Sequence, residues 1–350
     1  MIPPLEQLLA PIPGPLVGWY RQAARVLPWR ENTDPYRVWV SEIMLQQTRV
    51  TAAIPYYLRF LEELPTPAAL AACPQDRLMK LWEGLGYYSR VRNLQKAAQQ
   101  VVEHHGGQLP GTFAQLRALP GVGDYTAGAV ASIAFGLPYP AVDGNVLRVV
   151  ARLAASDADI ASPQVKKAVT AALTAILPRD CPGDFNQGMM ELGACVCLPA
   201  GDPLCGQCPL GQLCRARTLG CQSQLPVKAP KKARRVQEHT VLVLEREGLI
   251  PLMKRQDKGL LQGLWQPPMA PGHLDRDGAL AALEAMGFRV DALRPLPPAR
   301  HIFTHVQWEM VGWQARVTGD GPDRFQWFSP RDLAREAAVP TAFSAYLGKG

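Results

Sequence analysis

The sequence predicts two domains, an all-helical one followed by a smaller α+β one, joined by a basic linker. Three observations carry this. A chain of 350 residues exceeds what one compact core usually supports. Apolar residues recur at helical spacing from about residue 15 to 219, then at strand spacing beyond 238. Between the two patterns, residues 222–237 hold Pro226, Pro230, Lys228, Lys231, Lys232, Arg234 and Arg235 and have little to bury. The expected division is therefore 1–221, linker 222–237, and 238–350.

Segments 78–82, 94–102 and 164–177 place apolar side chains on one helical face, and Gly-Pro and Pro-Gly breaks separate such segments. After the linker, 239–245 and 307–317 alternate or run β-branched and aromatic, as strands do, with one helix expected at 277–286. Hydrophobic residues make up 47% of the chain and charged residues 19%, a folded rather than disordered composition. A formal charge of +7 lowers the cost of approaching a polyanion, although many basic proteins bind none. No stretch of eighteen apolar residues occurs and the first twenty residues have no basic leader, so no membrane partner and a cytoplasmic location are expected.

Cys197, Cys205, Cys208 and Cys214 lie within eighteen positions, with seven, two and five residues between them. Four thiolates this close suit a [4Fe–4S] cluster or zinc. Zinc usually takes two close pairs, and only Cys205 and Cys208 form one, so iron–sulfur is the expected cofactor. Cys195 sits in the apolar run 192–196, which suits packing; Cys73, Cys181 and Cys221 read as ordinary residues.

The turn Leu119-Pro120-Gly121-Val122-Gly123 precedes a helix expected at 124–135. Glycines let backbone N–H groups approach a ligand closely, and a helix start presents free N–H groups to an anion. Gly121, Val122 and Gly123 are thus candidate DNA-phosphate contacts, although such turns also serve only to reverse the chain.

Ser41 to Thr48 (SEIMLQQT), Leu119 to Ala127, Ala141 to Val146 (AVDGNV) and the four cysteines occur in this order. The ordered set resembles the helix-hairpin-helix DNA glycosylases with an iron–sulfur cluster, and among them the MutY-type adenine glycosylases. The resemblance spans nearly the whole chain. It implies a two-lobed helical glycosylase domain with a [4Fe–4S] cluster, then a Nudix-like (MutT-like) domain. It implies hydrolytic removal of adenine mispaired with 8-oxoguanine or guanine in double-stranded DNA, by a protein expected to be monomeric and nucleoid-associated. The target base must be flipped out, since the glycosidic carbon is unreachable inside the stack. The first cysteine gap is one residue longer than the family's usual six, which Gly201 and Pro203 suggest is absorbed by a wider loop.

Glu42 falls among Val38, Ile43, Met44 and Leu45, so desolvation should raise its pKa and leave it protonated near neutrality. A protonated Glu42 can donate to the departing base; the alternative is a surface charge. Asp143 precedes a helix expected at 145–153 and can stabilise positive charge on the sugar; the alternative is an N-cap. The resemblance makes them the general acid and the electrostatic or nucleophilic carboxylate. Tyr125 occupies the hairpin position where endonuclease III-like relatives carry a Schiff-base lysine, which implies a monofunctional glycosylase with Tyr125 hydrogen-bonding near Asp143. Asn145 resembles the residue that positions carboxylate and water. Arg30 and Gln187 resemble contacts to the flipped adenine, and Gln47, Leu85 and Tyr87 the wedge at the opposite base. For these residues local packing is the alternative.

The second domain resembles a Nudix domain without its chemistry. Before Gly287 the chain reads LAALEAM, keeping one glutamate where the hydrolase motif needs three, too few hard oxygen ligands for magnesium. Recognition rather than hydrolysis is expected, through Phe303, Thr304 and His305, which resemble the family's Phe-Ser-His probe of 8-oxoguanine.

Overall fold

The computed structural model describes residues 4–230, 233–256, 259–319 and 321–348; Lys231 and Lys232 of the expected linker lie outside these. Two compact units are present, Met1–Ala72 with Arg92–Pro230, and Cys73–Val91 with Lys231–Gly350. The second unit therefore takes in a helical segment that the sequence pattern groups with the first. The bonds responsible are specific. Lys80 Nζ donates to the carbonyls of Leu333 (3.4 Å) and Ala337 (3.1 Å), and a Glu83 carboxylate oxygen accepts the Val339 N–H (2.7 Å). The linker is also shorter than its composition suggests. The Val227 carbonyl accepts the Ile160 N–H, and the first strand already begins at Arg235.

The first unit is helical, and its sequence sets the helix starts. Asp34 caps helix Pro35–Leu45 by accepting the Arg37 N–H at 2.8 Å, with Pro35 in the first turn where its missing N–H costs nothing. Helix Asp124–Phe135 stops at Gly136, whose φ of 63° favours glycine. Helix Gly144–Ala154 is capped by Asp143. Leu16, Val146, Val150, Phe185, Met189 and Leu192 interlock in one core cluster, which brings helices Pro13–Ala23, Gly144–Ala154 and Pro182–Cys195 together. Among the described residues no helix is long and apolar enough to cross a membrane.

The second unit contains β1 (Arg235–Glu245), β2 (Ile250–Lys254), β3 (Trp265–Gln266), β4 (Met269–Pro271), β5 (Arg289–Ile302), β6 (Val306–Thr318) and β7 (Phe325–Phe328). One sheet runs β4-β1-β6-β5, with β1 and β6 parallel and its other pairs antiparallel; the other runs β3-β2-β7. Strand β1 is buried on both faces. Leu242 and Leu244 pack with Ala279 and Leu283 of helix Arg276–Ala285, while Val241 and Val243 pack with Trp308, Met310 and Phe343. Side-chain alternation explains the division, and a continuous apolar run is its signature. Glu284, the remaining motif glutamate, is exposed.

Candidate active site

Glu42, Tyr125, Asp143 and Asn145 come together in one cleft of the first unit, with a volume of about 580 Å³, lined also by Leu45, Gln46 and Gln47. Glu42 is buried, on a helix where Tyr36, Val38 to Ser41, Ile43 and Met44 are buried too, so it is no surface charge. Burial pushes its carboxyl up to about 7, with the Asp143 charge adding to the rise and the Tyr125 hydrogen bond and Arg30 opposing it. Tyr125 Oη donates to Glu42 Oε2 at 2.6 Å and lies 3.6 Å from Met190 Sδ. Its partner is Glu42, and Asp143 lies near enough to act on both. Burial and the two nearby carboxylates raise the phenol's pKa far above its ordinary value, so Tyr125 stays a donor.

Asp143 uses both oxygens. Oδ1 accepts the Val146 N–H at 2.8 Å and Oδ2 accepts Asn145 Nδ2 at 2.8 Å. The N-cap and the candidate charge-stabilising group are therefore one residue. Burial raises its pKa, against these hydrogen bonds and the Arg148 charge, which lower it. Arg148 in turn donates to Asn145 Oδ1 and to the carbonyls of Gly193 and Cys197, each at 2.8 Å, which fixes the asparagine amide from behind.

Arg30 donates from Nη2 to Glu191 Oε2 at 2.9 Å and from Nη1 to the Arg25 carbonyl at 3.1 Å. Arg25 holds both Glu191 oxygens, at 2.6 and 2.8 Å. Burial alone would raise the Glu191 carboxyl; the bonds from Arg25 and Arg30 outweigh it and hold it at about 2. Neither Arg25 nor Glu191 was picked out from the sequence. The rule that flagged Glu42, a carboxylate inside an apolar helix, points equally to Glu191 between Met190 and Leu192. Gln187 is half-buried on the same helix, Pro182–Cys195.

In the 119–123 turn only Gly121 is conformationally required. Its φ is 78°, and a Cβ there would stand 2.7 Å from Asn93 Cβ. Val122 is buried, its carbonyl accepting from Arg117 Nη1, and Gly123 caps the following helix. Gln47, exposed at the cleft, has a φ of 59°, and Tyr87 one of 46°. In the second unit, Tyr87 Oη and Thr304 Oγ1 share a hydrogen bond at 2.7 Å, whereas Leu85 is buried. Phe303 packs edge-on to His301 and Trp308, leaving Thr304 and His305 exposed.

The expected iron–sulfur cluster is overturned. Among the described residues no three His, Cys, Asp or Glu side chains form a group able to hold a metal ion, so Cys197, Cys205, Cys208 and Cys214 do not fit a [4Fe–4S] centre or zinc. Cys197 Sγ takes a hydrogen bond from Arg152 Nη1 at 3.2 Å, Cys214 Sγ donates to the Arg152 carbonyl at 3.4 Å, and burial, with the neighbouring cysteines, pushes the Cys208 thiol up to about 11. Cys197, Cys208 and Cys214 instead pack against the helical core.

The helical fold and this cleft define a class. A model of the HhH-GPD superfamily of base excision DNA repair proteins matches residues 40–175, which hold Glu42, the glycine turn, Tyr125, Asp143 and Asn145. A NUDIX domain model matches residues 239–349. A thermostable thymine-DNA glycosylase is similar in structure, with a TM-score of 0.54 and 26% identity over 61% of this chain and 97% of that one. So is a trapped endonuclease III–DNA covalent intermediate, with a TM-score of 0.50 and 27% identity over 59% and 94%. Adenine DNA glycosylase of Homo sapiens is 36% identical over 96% of this chain and 74% of its own length; that of Rattus norvegicus is 37% identical over 93% and 75%. That of Buchnera aphidicola subsp. Baizongia pistaciae is 32% identical over 83% and 82%. The chain belongs to the adenine DNA glycosylase family.

Proposed function

We propose that this chain hydrolyses the N-glycosidic bond of adenine mispaired with 8-oxoguanine or guanine in duplex DNA, acting as a monomeric, monofunctional glycosylase in the cytoplasm. The observation that carries this reading is the pairing in one cleft of a carboxyl raised to about 7, Glu42, with a second carboxylate, Asp143, held by hydrogen bonds. Adenine leaves poorly until a ring nitrogen is protonated, and Glu42 retains a proton to give near neutrality. Loss of the base leaves positive charge on the sugar, which Asp143 stabilises electrostatically while Asn145 keeps its carboxylate oriented. Arg30 and Gln187 offer donors and acceptors for the polar edge of the flipped adenine. The 121–123 turn grips phosphate through the N–H groups of its glycines, the Val122 N–H being taken by the Leu119 carbonyl. In the second unit, Tyr87, Thr304, Leu85, Phe303 and His305 serve the base opposite; in the first, Gln47 serves as part of the wedge.

Strand cleavage by elimination needs an amine on the sugar carbon, and Tyr125 provides a phenol where that amine would stand. Among the described residues no lysine lines the cleft. The test is a mispair assay with and without alkaline work-up. Adenine should be released from 8-oxoguanine:adenine duplexes, the strand should break only after alkali, and borohydride should trap little covalent complex. Trapping at the rate of base release would replace this reading with a lyase.

A further inference from the structure

The segment from Gly136 to Asp143 carries the sugar-facing carboxylate yet has no helix or strand to hold it. What holds it is a residue outside the cleft lining. Asn186, on helix Pro182–Cys195, is 2% exposed. Its Oδ1 accepts the Ala141 N–H at 3.0 Å, and its Nδ2 donates to the Tyr139 carbonyl and to Ser132 Oγ, each at 2.8 Å. Ser132 lies on helix Asp124–Phe135, the helix that carries Tyr125. A single amide thus ties the Tyr125 helix and the 137–141 backbone to a third helix. An independent contact presses the same segment down. A Cβ on Gly128 would meet the Pro140 carbonyl oxygen at 2.3 Å, so that backbone lies directly on the Tyr125 helix.

We propose that Asn186 is a positioning residue for base release, clamping the 137–141 backbone so that the Asp143 carboxylate stands at the cleft beside Glu42 and Tyr125. This rests on the role given to Asp143 above. The residue type follows from the demand. The site needs one acceptor and two donors from one planar buried group; aspartate supplies acceptors only, and an apolar residue supplies neither. Without the amide, the Ala141 N–H and Tyr139 carbonyl lose their partners, and the segment must move to find others. Small displacements of a reacting group are expensive, on the order of 10²-fold in rate for about 1 Å.

Asp143 is faced by Glu42 and Tyr125 across the cleft and by Arg148 on its own helix. Its hydrogen bonds to Val146 and Asn145 oppose the effect of burial. Loosening the segment weakens them, so Asp143 takes up its proton at higher pH, while a displaced Asp143 charge raises Glu42 less, so Glu42 gives up its proton at lower pH. The experiment is single-turnover adenine release against pH for the full-length wild type, Asn186→Ala, Asn186→Asp and Gly128→Ala, with affinity for an uncleavable duplex measured alongside. A fall of on the order of 10²-fold in the rate is expected. Duplex affinity should stay within about threefold, and the profile should narrow, its acid limb moving to higher pH and its alkaline limb to lower pH. If the alanine variant fails to fold, Gly128→Ala, which displaces Pro140 from the opposite side, should show the same signature. Wild-type rates in folded variants, or rate and affinity falling together with both limbs fixed, would overturn the inference. Asp143→Asn separates the two layers. If it keeps the wild-type rate, the role of Asp143 itself is wrong; if it is inactive while the Asn186 variants are normal, only the clamp is wrong.

Discussion

The Tyr125 phenol donates to Glu42 Oε2 across 2.6 Å, joining residues 83 positions apart on two buried helices. Burial drives the Glu42 carboxyl upward and this bond pulls it back, so the acid holds a proton near neutrality without becoming too weak to give it up.

Tyr125→Phe removes that opposing bond. Glu42 should then keep its proton to higher pH, moving the alkaline limb of base release upward. The rate-against-pH profile measures this directly, and an unmoved limb would show that the phenol does not tune the acid.

Glu42→Gln should depress adenine release on the order of 10²-fold or more while duplex binding persists, because the amide keeps the shape and loses the acid. A stability effect accompanies it. A carboxyl raised from its ordinary value to about 7 is stabilising in its protonated form, and that stability is lost as pH rises through about 7. Above neutrality the glutamine variant should therefore melt higher than wild type, by on the order of a few kcal/mol, with the difference vanishing toward acid pH. Matching melting curves at alkaline pH would contradict the buried charge.

Which parts of this site were readable beforehand follows from how local their signals are. Glu42 announces itself, because a carboxylate within the apolar stretch 38–45 has few bland explanations, and the 124–135 helix is bounded by glycines on both sides. Asn186 gives no local sign; its value lies in carbonyls and N–H groups some fifty positions away. The cysteines show the reverse error: their spacing suggests a cluster, yet among the described residues no group able to hold a metal ion forms, and Arg152 and the helical core engage them instead. Segment 73–91 has helical periodicity that is silent about which unit will bury it; Lys80 and Glu83 decide that through partners about 256 residues away.

Glu191→Gln should destabilise the fold by about 3 kcal/mol, since it strands the Arg30 guanidinium and half of Arg25 without their carboxylate. Glu191 is held down at about 2, so its contribution is present above the ordinary carboxylate range and is lost as pH falls through about 2. Denaturant unfolding at pH 7 measures the loss. A shift below about 0.5 kcal/mol would place the pair among the weak exposed bridges.

Thr304→Val keeps the shape of the side chain and removes the hydroxyl that pairs with Tyr87 at 2.7 Å. Release of adenine opposite guanine should change little, while the preference for 8-oxoguanine should drop about tenfold, the worth of one hydrogen bond of about 1.4 kcal/mol. Competition between the two duplexes in one tube reads the ratio, and an unaltered ratio would remove Thr304 from recognition.

Asp143 both starts a helix and faces the cleft, and its two oxygens are taken by Val146 and Asn145. Substitutions at this position therefore divide into two kinds. Alanine discards the cap and the charge together and yields a loosened protein that a cell can clear. Asparagine, as good a cap as aspartate, discards only the charge. The resulting protein would be folded, able to find its lesion and unable to act there. Such a variant would be an obstruction rather than an absence, sitting on the mispair and keeping other repair routes from it.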